Sequence, residues 1–166
     1  CVLKAQGIQV TGLSFESPFF KADKARVAAE QLGIPLRIVD FTDTIIGLIE
    51  HPKHGFGGNI NPCIDCHAKM FEVAKRVMEE WGASFLISGE VLGQRPMSQN
   101  SDSLQKVLNL SNCEGLLLRP LSAKSLTPTI PETEGWVDRE KLENIVGRNR
   151  ELQMELAEQF GLKDYE

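Results

Sequence analysis

Four short apolar runs, each separated from the next by stretches of helical spacing, constrain this chain more than any other feature. They are Ile8–Phe15 (IQVTGLSF), Pro35–Phe41 (PLRIVDF), Ser84–Ser88 (SFLIS) and Leu116–Leu121 (LLLRPL). Runs of that length suit buried strands. Parallel strands cannot be joined by a tight hairpin and need a crossover, usually a helix. Strand–helix alternation therefore predicts βαβ units and an α/β fold, a doubly wound and mostly parallel sheet. At 166 residues a single domain over residues 1–166 is expected, large enough for a real core.

The intervening stretches read as follows. Cys1–Gln6 looks like the last turns of a helix, stopped by Gly7. A helix is predicted from about Lys21 to Leu32, with Ala25, Ala28, Ala29 and Leu32 inward, and Gly33 ends it. Thr42 is expected to cap a short helix carrying Ile45, Ile46, Leu48 and Ile49. A helix is predicted over about Ser98–Leu110, a loop over Thr127–Gly135, and helices over about Asp138–Val146 and Asn149–Phe160.

The most distinctive stretch runs from His54 to Met70. Gly55, Gly57 and Gly58 make a flexible approach; Asn61 suits a helix cap and Pro62 a helical first turn. Cys63 and Cys66 follow, in line with Met70, Ala74, Val77 and Trp81 on one helical stripe. A helix N-terminus favours thiolate over thiol, so this is a place for sulfur chemistry or metal binding. Two small buried apolar residues are the plainer alternative.

In open α/β sheets ligands bind beyond the carboxyl ends of the strands. Ser14–Ser17, the loop before Cys63 and Gly89–Arg95 all fall there. Gly89 allows close approach, Arg95 suits a phosphate, and Glu90 and Gln94 offer polar contacts. Neither a Gly-Lys-Ser/Thr loop nor GxGxxG is present. The net charge of −5 does not suggest general nucleic-acid affinity, so any RNA contact must come from local patches or another chain. No apolar run approaches the roughly 18 residues of a membrane span. Cys1, Cys63, Cys66 and Cys113 in an intracellular-looking, cytoplasmic-type chain suggest thiols or a metal site before disulfides.

The blocks GLSFESPFF, GGNINPCIDCHAKMF, ISGEVLGQRPMSQN, EGLLLRPLSAK and PTIPETEGWVDREKL together resemble the PP-loop ATP pyrophosphatase superfamily. The most similar branch is its tRNA thiouridylase-like proteins (2-thiouridylase, 4-thiouridine synthase, also labelled tRNA methyltransferase subunit). The resemblance covers nearly the whole chain. It implies an adenine nucleotide alpha hydrolase-like fold, ATP with Mg as cofactor, tRNA as substrate, and sulfur from a donor protein or sulfide. By position it makes Cys63 and Cys66 the sulfur-handling pair. It puts Ser14 and Phe15 beside the adenine, and Gly89, Glu90, Gln94 and Arg95 near ATP or RNA. A [4Fe–4S] cluster on Cys63, Cys66 and Cys113 is the alternative sulfur route. His67 adjoins Cys66 and is the best-placed histidine; His51 and His54 are more remote candidates.

The resemblance has two gaps: the superfamily's Ser-Gly-Gly-x-Asp-Ser loop, and a Gly-Gly-Cys segment expected past Tyr165. The chain is therefore expected to be a fragment or reduced form, inactive as an ATP pyrophosphatase by itself. The superfamily's first strand would lie between the strands at Ile8–Phe15 and Ser84–Ser88, and its absence leaves two inner edges. Either those strands pair directly or another chain supplies a strand, a homodimer being the simplest form. A metal-binding or redox CxxC module and a non-catalytic scaffold are the competing functional readings.

Overall fold

A computed structural model describes residues 1–51 and 62–163, with the backbone alone at Pro62 and Cys63. His54, the glycines at 55, 57 and 58, Asn61, Tyr165 and the Cys63 side chain thus lie outside the described residues. The expected α/β architecture is present as two βαβ units. In the first, β1 (Gly12–Glu16), α1 (Asp23–Leu32) and β2 (Leu36–Asp40) bring Gly12 opposite Leu36 and Glu16 opposite Asp40, in parallel. In the second, β3 (Leu86–Ile87), α4 (Ser101–Ser111) and β4 (Leu117–Leu118) pair in parallel, Leu86 with Leu117. Between the units run α2 (Thr42–Glu50) and the long α3 (Pro62–Glu80); α5 (Ile130–Thr133) and α6 (Glu151–Gln159) follow.

The sheet is split. Among the described residues β1 and β3 do not pair, and no strand precedes Ile8. The Gly12 N–H donates to Pro35 O and the Phe41 N–H to Glu16 O, so Gly12, Ser14 and Glu16 face β2. Leu13 and Phe15 then turn their backbone groups the other way, because alternate residues of a parallel strand serve opposite neighbours. On the second sheet the Leu86 and Ser88 N–H groups donate to Leu116 O and Leu118 O, which leaves Ile87 facing outward. Between these edges lies a cavity of about 1100 Å³, bordered by Leu13 and Phe15 on one side and Phe85 and Ile87 on the other.

This gap explains where the strands fall short of their apolar runs. Ile8–Thr11 borders the cavity with no parallel neighbour, so pairing begins only at Gly12. Likewise β3 and β4 shrink to two residues each within longer runs. Each half keeps its own core. Phe41, Val73 and Val77 are buried beneath β1 and β2, with Phe15, Val39, Cys66 and Met70 packed on them. Leu3, Leu118, Ala123, Val137 and Leu142 form the other core. Helix α3 joins the halves by packing on α4.

Several local expectations are corrected. Residues Lys4–Gln6 form one 3-10 turn, closed by Gly7 at φ +80°. Ala28 is exposed while Ala29 is buried, since a ten-residue helix on a two-stranded sheet buries a narrow stripe. The cap of α2 comes from Asp40, whose Oδ1 accepts from the Thr42 N–H at 2.9 Å. Trp81 lies past the end of α3 and is exposed, with the Arg37 guanidinium 5.3 Å from its ring centre. Thr127–Gly135 contains α5, begun by a capping box in which Glu132 accepts from the Thr129 N–H and hydroxyl. The helix expected over Asp138–Val146 is a single 3-10 turn, Arg139–Lys141.

Candidate functional site

Helix α3 starts at Pro62, which places Cys63 in its first turn. Pro fits there because the first N–H groups have no intrahelical partner. Cys66 is half-buried and packs on the Phe41, Val73 and Val77 core, while the next residue, His67, lines the cavity. The positive end of the helix dipole lies at this turn and favours a thiolate.

Opposite stands Glu90, three residues beyond β3 and buried. Its Oε2 accepts from Arg119 Nε at 2.9 Å, and its Oε1 lies 3.3 Å from His67 Nδ1. The Arg119 side chain is only 3% exposed. Burial alone would push the Glu90 carboxyl up; His67 and Arg119 outweigh it and hold the carboxyl below its ordinary range. Glu90 Oε1, His67 Nδ1 and Arg119 Nη2 lack well-directed hydrogen bonds, so the arrangement is electrostatic first and directional second. It fastens the start of α3 to the carboxyl ends of β3 and β4.

The structure thus brings Phe15, Cys66, His67 and Glu90 to one place, all on or beside the cavity. Gly89 borders a smaller apolar cavity of about 390 Å³ with Ser88, Leu156 and Phe160. Ser14 does not line the large cavity; it sits half-buried within β1 opposite Ile38. Gln94 and Arg95 lie on an outer rim, where Gln94 Oε1 accepts from Gln153 Nε2 at 3.2 Å. Arg119 is the residue sequence reasoning missed. Its signal was a charged side chain inside the buried run LLLRPL, which requires a buried acid nearby.

Cys113 is fully buried where α4 meets α3. Its Sγ lies 3.6 Å from Phe71 O and 3.5 Å from Ser111 O, and burial pushes the thiol up. A protonated thiol pointed at two carbonyls does not fit a cluster ligand. Among the described residues no group of three His, Cys, Asp or Glu side chains gathers as a metal site. No disulfide links Cys1, Cys66 and Cys113. Native-state alkylation should therefore modify the half-buried Cys66 near the start of α3 and spare the buried Cys113 until the protein unfolds. Equal reaction of the two thiols, followed by peptide mass mapping, would refute this placement.

A parallel α/β frame with a Cys-x-x-Cys helix start abutting the carboxyl end of a neighbouring sheet defines the class. Within that class, the family model described as "Thiamine biosynthesis protein (ThiI)" matches residues 6–127, and the chain belongs to this family. Curated relatives in two Staphylococcus aureus strains, Newman and JH1, both named "Probable tRNA sulfurtransferase", are 29% identical over 127 residues. The match covers 70% of this chain and 29% of each relative, so the chain spans under a third of their length. No solved structure gives a significant match. Among the described residues no helix is long and apolar enough to cross a membrane.

Proposed function

We propose that this chain is the sulfur-handling part of a tRNA sulfurtransferase, with Cys63 and Cys66 carrying sulfur to a uridine activated by ATP. The carrying observation is the approach of the Cys63–Cys66 helix start to Glu90, through His67 Nδ1 at 3.3 Å. Family membership and the relatives' names support the substrate class.

In this reading one cysteine thiolate attacks the outer sulfur of a donor protein's persulfide, the donor's cysteine thiolate leaves, and the sulfur is held as a persulfide. The second cysteine attacks the first cysteine's Sγ, a hydrosulfide leaves, and a disulfide remains for an external thiol to reduce. The hydrosulfide then displaces AMP from the activated uridine. ATP with Mg supplies the adenylate when bound. Phe15 offers an apolar wall for the adenine ring, and Glu90 stays ionised between Arg119 and His67. The Cys113 environment favours this persulfide route over a cluster.

The test loads the protein with labelled sulfur from a cysteine desulfurase and then adds tRNA, ATP and, for adenylation, a PP-loop enzyme that carries the Ser-Gly-Gly-x-Asp-Ser loop. Label should appear first on Cys63 or Cys66 and then on tRNA. Label that stays on the protein would turn the reading toward a redox module, and absence of label toward a scaffold.

The gap between β1 and β3 is also where the expected homo-oligomer would form, by pairing a further strand with the outward groups of Leu13, Phe15 and Ile87. The solution mass of this chain, measured by analytical ultracentrifugation, should exceed that of the 18.5 kDa monomer. A monomer at all concentrations would reject intermolecular pairing.

A further inference from the structure

The face of α3 turned to the large cavity carries His67, Met70, Phe71, Ala74 and Met78. Spacings of three and four make these one helical row. Followed one turn toward the helix start, the row reaches Cys63. Four residues bring a position back to within about 40° of its starting direction, so the register of α3 puts residue 63 in the row of His67. Cys66 is turned about 100° from His67. It belongs to the flank that packs, with Met70, on the Phe41, Val73 and Val77 core. The two cysteines of the motif thus take different sides of one stripe, residue 63 toward the cavity and residue 66 toward the core.

His67 is held from behind. Its Nδ1 lies 3.3 Å from Glu90 Oε1, and Glu90 Oε2 accepts from Arg119 Nε at 2.9 Å. The Glu90 N–H donates to Ser88 Oγ at 3.2 Å, and the Ser88 N–H donates to Leu118 O at 3.0 Å. Arg119 follows Leu118 directly, so the carboxylate and the guanidinium are both anchored on the β3–β4 pair. Arg119 alone would suffice to clamp Glu90. The third member, His67, is 27% exposed and opens on the cavity. Among the described residues lining that cavity, His67 and Glu90 are the titratable ones. From β1 come only Leu13 and Phe15, and on α3 the nearby charges are Asp65 and the Lys69–Glu72 pair at 2.7 Å. A carboxylate beside Nδ1 draws the imidazole proton to that nitrogen and leaves the lone pair on Nε2.

We propose that His67 is the base that takes the proton of the Cys63 thiol, that Glu90 and Arg119 are positioning residues for its ring, and that Cys63 rather than Cys66 accepts sulfur. The proposal rests on the sulfur-transfer reading above and assigns the roles within it. His67 Nε2 takes the thiol proton, and the Cys63 thiolate attacks the outer sulfur of the donor's persulfide. A new S–S bond forms on Cys63 Sγ, the donor's S–S bond breaks, and the donor's cysteine leaves as a thiolate. The proton on His67 passes to that thiolate through solvent. One persulfide replaces another, so no oxidant or reductant is needed. Cys66 is then the resolving thiol, which attacks Cys63 Sγ and releases hydrosulfide.

The experiment measures the rate of iodoacetamide reaction of the whole chain against pH, with peptide mass mapping to read Cys63 and Cys66 separately. No sulfur donor or RNA is added. The compared proteins are wild type, His67→Gln and Glu90→Leu/Arg119→Met. In wild type the Cys63 rate should stay high well below the ordinary thiol value of about 8.5. His67→Gln keeps a polar group of similar reach that cannot take a proton. An unassisted thiol is only a few per cent thiolate near pH 7, so its Cys63 rate there should fall roughly tenfold or more while Cys66 keeps its profile. The double variant removes the ring's support without leaving a buried charge, and should lose the Cys63 rate while circular dichroism shows it folded. If it does not fold, His67→Ala serves: its Cys63 rate should be low and should return on adding free imidazole. An unchanged Cys63 profile in His67→Gln, an equal loss at Cys66, or a wild-type Cys63 that titrates as an ordinary thiol would each overturn the proposal. A folded double variant with the wild-type Cys63 rate would remove the positioning roles. Uptake of labelled sulfur judges the sulfur-transfer reading separately: uptake with an unchanged His67→Gln profile keeps that reading and removes the base, and a His67-dependent profile without uptake does the reverse.

Discussion

Glu90→Gln should cost about 3–5 kcal/mol, because it leaves the Arg119 guanidinium buried without its counter-charge. Arg119 is 3% exposed and cannot reach water by a change of rotamer alone. A net stability of roughly 5–15 kcal/mol makes this loss close to unfolding. Replacing both partners, as in Glu90→Leu/Arg119→Met, should recover much of it, since well-packed apolar residues often match a buried ion pair. The pH dependence follows from the direction of the Glu90 shift. Its carboxyl is held below the unfolded value of about 4.3, so the stabilisation is complete above that pH. It is lost as pH falls through the folded value. Urea unfolding at pH 7 and at about pH 3 tests both parts. Wild type should lose more stability than Glu90→Gln between the two conditions. Coincident urea midpoints for the two proteins at pH 7 would refute the role of the ion pair.

Cys63→Ser and Cys66→Ser should each abolish sulfur transfer to tRNA, while Cys113→Ser leaves it intact. A serine hydroxyl cannot carry a persulfide or accept one by exchange, so the loss is complete rather than graded. The two variants should differ in what remains. One retains labelled sulfur that cannot be released, and the other takes up none. Cys66→Ser should also destabilise the fold by roughly 1 kcal/mol, because Cys66 packs on the Phe41, Val73 and Val77 core. Cys113→Ser should destabilise without loss of transfer, since its thiol points at the carbonyls of Phe71 and Ser111. Transfer by Cys63→Ser at the wild-type rate would remove the cysteine pair from the mechanism.

Much of the frame was legible because its signals are local. Gly7 and Gly33 end their elements at φ +80° and +58°, as their positions after apolar periods imply. Pro62 marks the start of α3, and the crossover rule turns the four apolar runs into two parallel pairs. What was not legible depends on distant partners. The lengths of β1 and β3 are set by whether a neighbour exists, which the runs Ile8–Phe15 and Ser84–Ser88 do not encode. Glu90 offers a polar contact in sequence but proves to be committed to Arg119, 29 residues away. The α5 turn was readable in principle. Thr129 followed by Glu132 is a capping box, but the surrounding prolines and threonines masked it as a loop.

The split between the two sheets also governs how the molecule opens. Two hydrophobic cores that share no continuous sheet are coupled through α3 on α4 and through the Glu90–Arg119–His67 contact. Opening the β1–β2 half breaks its own core and its contacts to the other half, which include Lys75 to Asn112 O and Gln31 to Lys163, at less than the global free energy. The outward N–H groups of Leu13, Phe15 and Ile87, which face the cavity, should exchange faster than those paired within each sheet. Cys66 packs on the core of the β1–β2 half. Its access is thus set by opening of the β1–β2 half rather than by the swing of a separate lid.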